Sequence, residues 1–204
     1  MRMNYSRIAW GLGLELIDFR IGGFDLLPDV LGYFLIMLGL SRMTPGHRCF
    51  QLARGAAGVL LVGSVLQLLG IQAGFSLTSN ETPNIDVLAL TGIIIAAELV
   101  MVFGICGGIR ASALGKGKWA LAKSARDGWY IIFVLGTVIS LLLPFQLNRT
   151  TSEGIGVAFI LTAVFFIANL WVIFLVRRAG RELPGRRSGG GPDGNLGGTI
   201  DITG

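Results

Sequence analysis

Glu98 makes the strongest chemical demand on its surroundings. It stands near the middle of the apolar run Ile85–Ile109, between Ala96-Ala97 and Leu99-Val100. A carboxylate at bilayer depth costs at least about 2.5–3.5 kcal/mol on insertion scales, so the side chain is expected to face other protein, not lipid. Two roles satisfy that demand. Glu98 could relay a proton or a cation, or touch a substrate. Alternatively it is a carboxylic acid that ties helices together by bonding a second buried polar group, Asn169 or Gln67. Asn169 is the preferred partner, because Ala97-Glu98-Leu99 and Ala168-Asn169-Leu170 occupy matching places in two similar segments.

A second polar group lies near the start of the chain: Glu15, Asp18, Arg20, Asp25 and Asp29. Glu15 and Asp18 are three apart and share a helical face. Arg20 is the one cation close to them in sequence. One reading is an outer vestibule that accepts protons or a small hard cation, which oxygen ligands suit. The other is helix capping. Asp25 can cap a helix starting at Leu26, Pro28 is tolerated in a first turn, and Asp29 favours the positive helix end. Capping accounts for Asp25 and Asp29 but not for Glu15 or Arg20.

Other chemistries find no residues to work with. His47 is the single histidine, so one chain cannot build a histidine-based metal site. Cys49 and Cys106 are far apart in sequence, and a disulfide is not expected. The chain has no Gly-x-Ser-x-Gly, phosphate loop, Cys-x-x-Cys or zinc-protease histidine pair. No catalytic residue, metal or cofactor is therefore assigned, and an enzyme is unsupported.

The elements that position these residues are hydrophobic. Of the 204 residues, 52% are hydrophobic and 14% charged, against roughly 25% charged in soluble domains. Mean hydropathy is +0.69. The class is an all-α polytopic membrane helix bundle. Four runs have about the 20 residues a span needs: Ala53–Phe75, Ile85–Ile109, Gly128–Leu147 and Gly154–Val176. The first hydrophobic region, Ile8–Leu40, is interrupted by Asp18–Asp29. It reads either as two short helices, giving six in all, or as a re-entrant hairpin ahead of four spans. A cleavable signal peptide does not fit, since Glu15 interrupts the run and Asp18 and Arg20 stand where small residues should follow. Residues 1–180 form the bundle. The Gly- and Arg-rich stretch 181–204 is expected to be a disordered cytoplasmic tail.

Basic residues set the orientation. Fifteen of them, in four clusters from Arg2 to Arg187, fall on one side, against Arg20 and Arg149 on the other or at the first turn. Both termini are then cytoplasmic. The net charge of +5 is read as attraction to anionic lipid, because no basic run is interleaved with aromatics as nucleic-acid binding would require. Tyr33, Trp119, Trp129 and Tyr130 read as interface anchors. Gly70-x-x-x-Gly74 and Gly104-x-x-x-Gly108 read as sites of close helix approach. The last four spans echo one another at an offset of about 71 residues, suggesting a parallel repeat of helical hairpins.

The stretch Leu16-Ile-Asp-Phe-Arg-Ile-Gly-Gly-Phe-Asp-Leu-Leu-Pro-Asp-Val-Leu-Gly-Tyr33 resembles a segment of uncharacterised small multi-pass membrane proteins of Gram-positive bacteria. The resemblance implies a bacterial plasma membrane and brings no activity with it. The functional expectation is a membrane-embedded subunit or interaction protein, whose partners are the lipid bilayer and a membrane-protein partner or a second copy. The alternative is a small proton- or cation-coupled transporter or channel-like protein using Glu98. The charge bias makes a direct prediction. Reporter fusions after Arg7, Arg48, Lys118 and Arg187 should report cytoplasm, and fusions at Asn80 and Arg149 the outside. An outside signal at Arg7 with an inside signal at Arg48 would mean that Ile8–Leu40 crosses only once.

Overall fold

The computed structural model describes residues 2–16, 27–43, 47–68, 85–142 and 153–183. Within them are six helices: α1 (Arg2–Leu16), α2 (Leu27–Ser41), α3 (Arg48–Leu68), α4 (Ile85–Leu114), α5 (Trp119–Leu142) and α6 (Glu153–Glu182). Helix is the physical answer to this composition, because in hydrocarbon each backbone N–H and C=O must find its partner within the segment. Segments of α3, α4, α5 and α6 are long and apolar enough to cross a membrane. The two first helices have 15 residues each and are about 22 Å long. The protein is thus a membrane-embedded helical bundle with a short leading pair.

The helices pack in chain order, each against the next, and α6 returns to α1 to close a ring. Neighbours run antiparallel. In the first pair Gly39 lies against Asn4 and Ile8 while Gly32 lies against Gly11 and Glu15. Tyr5 and Ser6 share a cavity with Gly180 and Arg181, while Glu15 and Leu16 share one with Phe165 and Asn169, which sets α1 antiparallel to α6. An up-and-down ring places the N-terminal ends of α1, α3 and α5 beside the C-terminal ends of α2, α4 and α6. All the described basic residues gather toward that end. Asp29 and Asp86, in the first turns of α2 and α4, belong to the opposite end.

Several helices extend beyond the apolar runs. Helix α5 begins at Trp119, so Lys123, Arg126 and Asp127 are helical instead of forming a loop. Helix α6 runs through Arg177, Arg178 and Arg181 to Glu182, and Leu183 beyond it is buried. The expected tail therefore starts later than residue 181, and its remainder lies outside the described residues. Lysine and arginine are good helix formers and lay their stems along apolar surface, so the hydrophobic edge understates the helix edge. The turn after α4 is closed by Gly117 at φ +68°. Lys118 N–H bonds Ala113 C=O at 2.9 Å and Gly117 N–H bonds Leu114 C=O at 3.0 Å, a paired cap that a left-handed glycine permits.

Close packing comes from small residues. A Cβ on Gly11 would sit 2.6 Å from the Gly32 carbonyl oxygen, and one on Gly32 would sit 2.9 Å from that of Gly11. Helices α1 and α2 therefore touch backbone to backbone. At Gly104 a Cβ would fall 2.6 Å from the Cys49 carbonyl oxygen and 2.7 Å from Ala53 N, which brings α4 equally close to α3. Without a hydrophobic drive between helices in lipid, such contacts supply the dispersion attraction that holds them. Both cysteines are free thiols.

Gly11 and Gly13 form a matched pair for a test. The Gly11→Ala methyl meets immovable backbone and should destabilise the bundle by about 1–3 kcal/mol, the usual cost of overpacking. Gly13→Ala meets nothing within 4 Å and should be neutral or slightly stabilising. Denaturant unfolding in bicelles, followed by circular dichroism, measures both.

Candidate functional site

Three helices bring one polar residue each to a common point inside the ring. Glu15 is in the last turn of α1, Tyr33 lies near the middle of α2, and Glu98 is midway along α4. The Tyr33 hydroxyl lies 3.3 Å from Glu15 Oε1 and 3.4 Å from Glu98 Oε1. Both distances exceed the roughly 2.7 Å usual for O–H···O bonds, consistent with one hydroxyl shared between two acceptors. A phenol carries a single proton and can donate to one carboxylate at a time. If either carboxyl group carries a proton, it can donate to the tyrosine oxygen while the tyrosine donates to the other. The result is a continuous chain of hydrogen bonds from α4 through α2 to α1.

Tyr33 is only 5% exposed. It is a core residue and not the interface anchor expected from sequence. The close approach at Gly11 and Gly32 explains its reach: with α1 and α2 in backbone contact, the neighbouring Tyr33 side chain meets Glu15 one turn along α1. Glu15 Oε2 is buried and has no hydrogen-bond partner among the described residues. Such an atom costs about 1–3 kcal/mol, so it is an unusual feature to retain.

Two cavities flank the group. One, of about 150 Å³, is lined by Glu15 and Glu98 together with Asn169, Phe165, Leu99 and Ile132. The second, of about 190 Å³, lies on the α2–α3–α4 side, with Asp29, Tyr33, Glu98, Ser64 and Gly63 in its wall. Glu98 is common to both. A water needs about 10–15 Å³ of such space and two to four polar partners, and either cavity is large enough for several.

The expected partner of Glu98 is corrected. Asn169 Nδ2 bonds the Phe165 carbonyl oxygen of its own helix at 3.0 Å, while Glu98 bonds Tyr33. Asn169 does share the first cavity with Glu98, so matching depth was a sound guide to place but not to bonding. The side chain of Gln67 lies outside the described residues, as do Asp18, Arg20 and Asp25. The two groups that were separate in sequence are joined. Glu15 shares a tyrosine with Glu98, and Asp29 lines a cavity with Tyr33 and Glu98. Tyr33 was the missed residue. Asp29 and Tyr33 are four apart on α2, so they share a face, and that spacing was the available signal. Among the described residues, no three metal-ligating side chains converge on one point.

No protein-family model, curated protein or solved structure matches the chain.

Tyr33→Phe keeps the ring and removes the shared donor. It should destabilise the bundle by about 1–3 kcal/mol, because two buried carboxyl groups lose their partner. A double-mutant cycle with Glu98→Gln should give a coupling of about 0.6 kcal/mol or more, the average for interhelical bonds in membranes. Unfolding in bicelles reads both values. A neutral Tyr33→Phe with zero coupling would mean that the hydroxyl ties nothing together.

Proposed function

We propose that the chain is a small proton-coupled transporter or conduit of a bacterial plasma membrane, with both termini cytoplasmic and Glu98 as its central proton-binding group. The observation that carries this reading is the single Tyr33 hydroxyl held between Glu15 and Glu98, with a cavity on either side. In such a row a proton moves without any atom travelling far. The Glu98 carboxyl passes its proton to the tyrosine oxygen as the tyrosine passes its own to Glu15. One carboxyl group loses a proton and the other gains one, so the charge balances. Ionisable residues inside membrane bundles characteristically mark such pathways.

A proton is a better cargo for this group than a divalent cation. A hard cation wants six or more oxygen ligands at about 2.0–2.6 Å, and the described acids do not gather in that way. The chemistry needed is instead two carboxyl groups of similar surroundings and a hydroxyl that can both donate and accept. A membrane-embedded subunit or homo-oligomer role rests on less. The exposed apolar side chains it would use, such as Ile93, Ile167 and Phe174, are equally what lipid requires of a spanning helix.

Reconstitution tests the proposal. Proteoliposomes holding a trapped pH dye, with the membrane potential clamped, should show proton flux through the wild-type protein. Glu98→Gln should fold and insert normally yet return flux to the protein-free leak. Tyr33→Phe should slow it, since the carboxyl groups then need a bridging water. A purely structural tie between helices predicts equal flux in all three. Absence of wild-type flux across a panel of ion and metabolite gradients would favour the embedded-subunit reading.

A further inference from the structure

The basic end of the ring holds a feature separate from the acid group. Helices α1 and α6 enclose a cavity of about 320 Å³ lined by Tyr5, Ser6, Trp10, Arg177, Gly180 and Arg181. Arg177 and Arg181 are four apart, so they project from one face of α6. The Arg177 guanidinium lies over the Trp10 ring, 5.3 Å from its centroid. That contact holds a long, otherwise mobile side chain in place. Trp10 is 58% exposed, and an amphipathic ring of this kind favours the level of the lipid headgroups.

The neighbouring cations have different surroundings. Arg178 and Lys118 both pair with Glu182, and Arg126 pairs with Asp127. Neither Arg177 nor Arg181 has a carboxylate within ion-pair distance among the described residues. Two guanidinium groups on one cavity with no carboxylate of the protein beside them leave a place for an anion from elsewhere. Guanidinium is planar and matches phosphate oxygens two at a time. The cavity lies at the C-terminal end of α6, with the Trp10 indole and the Ser6 hydroxyl in its wall.

We propose that this cavity binds the phosphodiester headgroup of an anionic phospholipid, with Arg177 and Arg181 as its ligands and Trp10 as the platform that orders Arg177. The same chemistry would bind a free phosphate. The lipid is favoured because Ser6, Trp10, Arg177 and Arg181 are all exposed, and an exposed indole beside the two cations can pack against the glycerol and upper acyl chain. Basic pockets between membrane helices are a recognised way of holding such headgroups. This site is distinct from Glu15, Tyr33 and Glu98, and it stands whether or not the bundle moves protons.

Native mass spectrometry of the full chain, released from mixed micelles of phosphatidylglycerol and phosphatidylcholine with matched acyl chains, tests it. The wild type should retain phosphatidylglycerol selectively. Arg177→Gln and Arg181→Gln should each lower that retention by about fivefold, the effect of one basic residue at an anionic surface. Trp10→Leu leaves the charge unchanged and should still cost about two- to fivefold, through loss of the cation–π contact. The double variant Arg48→Gln/Arg54→Gln removes twice the charge of either single variant elsewhere on the basic end and should change nothing. These side chains are exposed at the bundle end, so loss of fold does not confound the comparison, and circular dichroism verifies it. The proposal is overturned if the Arg48/Arg54 variant loses as much as the Arg177 and Arg181 variants, or if Trp10→Leu has no effect. Either result would mean diffuse attraction. Displacement of the lipid by equimolar inorganic phosphate would overturn it too, by making the cavity a free-anion site.

Discussion

Hydrocarbon offers a polar atom no partner, and the inside of this bundle is arranged around that constraint. The backbone meets it by forming six helices. The side chains meet it by convergence: Glu15, Tyr33 and Glu98 come from three helices to one place because each would otherwise be alone at membrane depth. That convergence fixes the relative rotation of α1, α2 and α4. It also requires α1 and α2 to be in backbone contact, since a phenol reaches only about 6.5 Å from its Cα by ordinary covalent dimensions. Gly11 and Gly32 supply the contact. The polar group and the glycine seam are therefore one device, and a methyl group on the seam should be felt at the hydroxyl.

The ring order extends the same logic. Sequential antiparallel packing puts α4 across from the short first pair, so Glu98 faces the interior and not a lipid seam. It also gathers the basic residues at one end, where their charges meet water and headgroups. At that end, ion pairs within the protein neutralise some of the cations. Glu182 serves Arg178 and Lys118 and joins α6 to α5. Arg177 and Arg181, one step around the same helix, are turned toward α1. The chain therefore treats two adjacent arginines, Arg177 and Arg178, differently, and the difference follows from helical rotation of about 100° per residue.

Much of this was legible in the sequence, for physical reasons. The all-helical class follows from apolar runs longer than a bilayer core. The interior placement expected of Glu98 follows from the cost of facing lipid. The echo between the last two hairpins is also visible in burial. At an offset of 71 residues, Met101, Val102 and Ile105 correspond to Val172, Ile173 and Val176, all buried, and exposed Phe103 corresponds to exposed Phe174. What the sequence withheld is which polar atoms meet. Depth can be counted along a helix, but azimuth depends on packing. Asn169 stands at the right depth, yet its amide satisfies its own helix at Phe165. Tyr33 has the composition of an interface anchor, and the close approach of α1 and α2 at Gly11 and Gly32 makes it a core residue. Lys123 and Arg126 extend α5 beyond its apolar run, because hydropathy reports the membrane and not the helix.

Local energetics separates the parts of the acid group that serve the fold from those that do not. Asp29 sits in the first turn of α2, where the helix dipole favours a negative charge. Its presence needs no function. Glu15 sits in the last turn of α1, where the same dipole opposes it, and one of its oxygens is buried without a partner. Glu98 stands at the centre of α4, the most apolar of the four helices long enough to cross a membrane. An alanine or leucine at either position would fill the space at lower cost, and a lone Tyr33 could then satisfy its hydroxyl on a backbone carbonyl. Two unfavourable carboxyl groups that meet on one hydroxyl, beside cavities able to admit water, are a combination that helix stability alone does not favour. Departures from local preference of this kind cluster where a protein acts rather than where it merely folds. The cost of placing Glu15 and Glu98 is thus the energetic side of the proton-handling role proposed for them, and helix packing alone supplies nothing that offsets it.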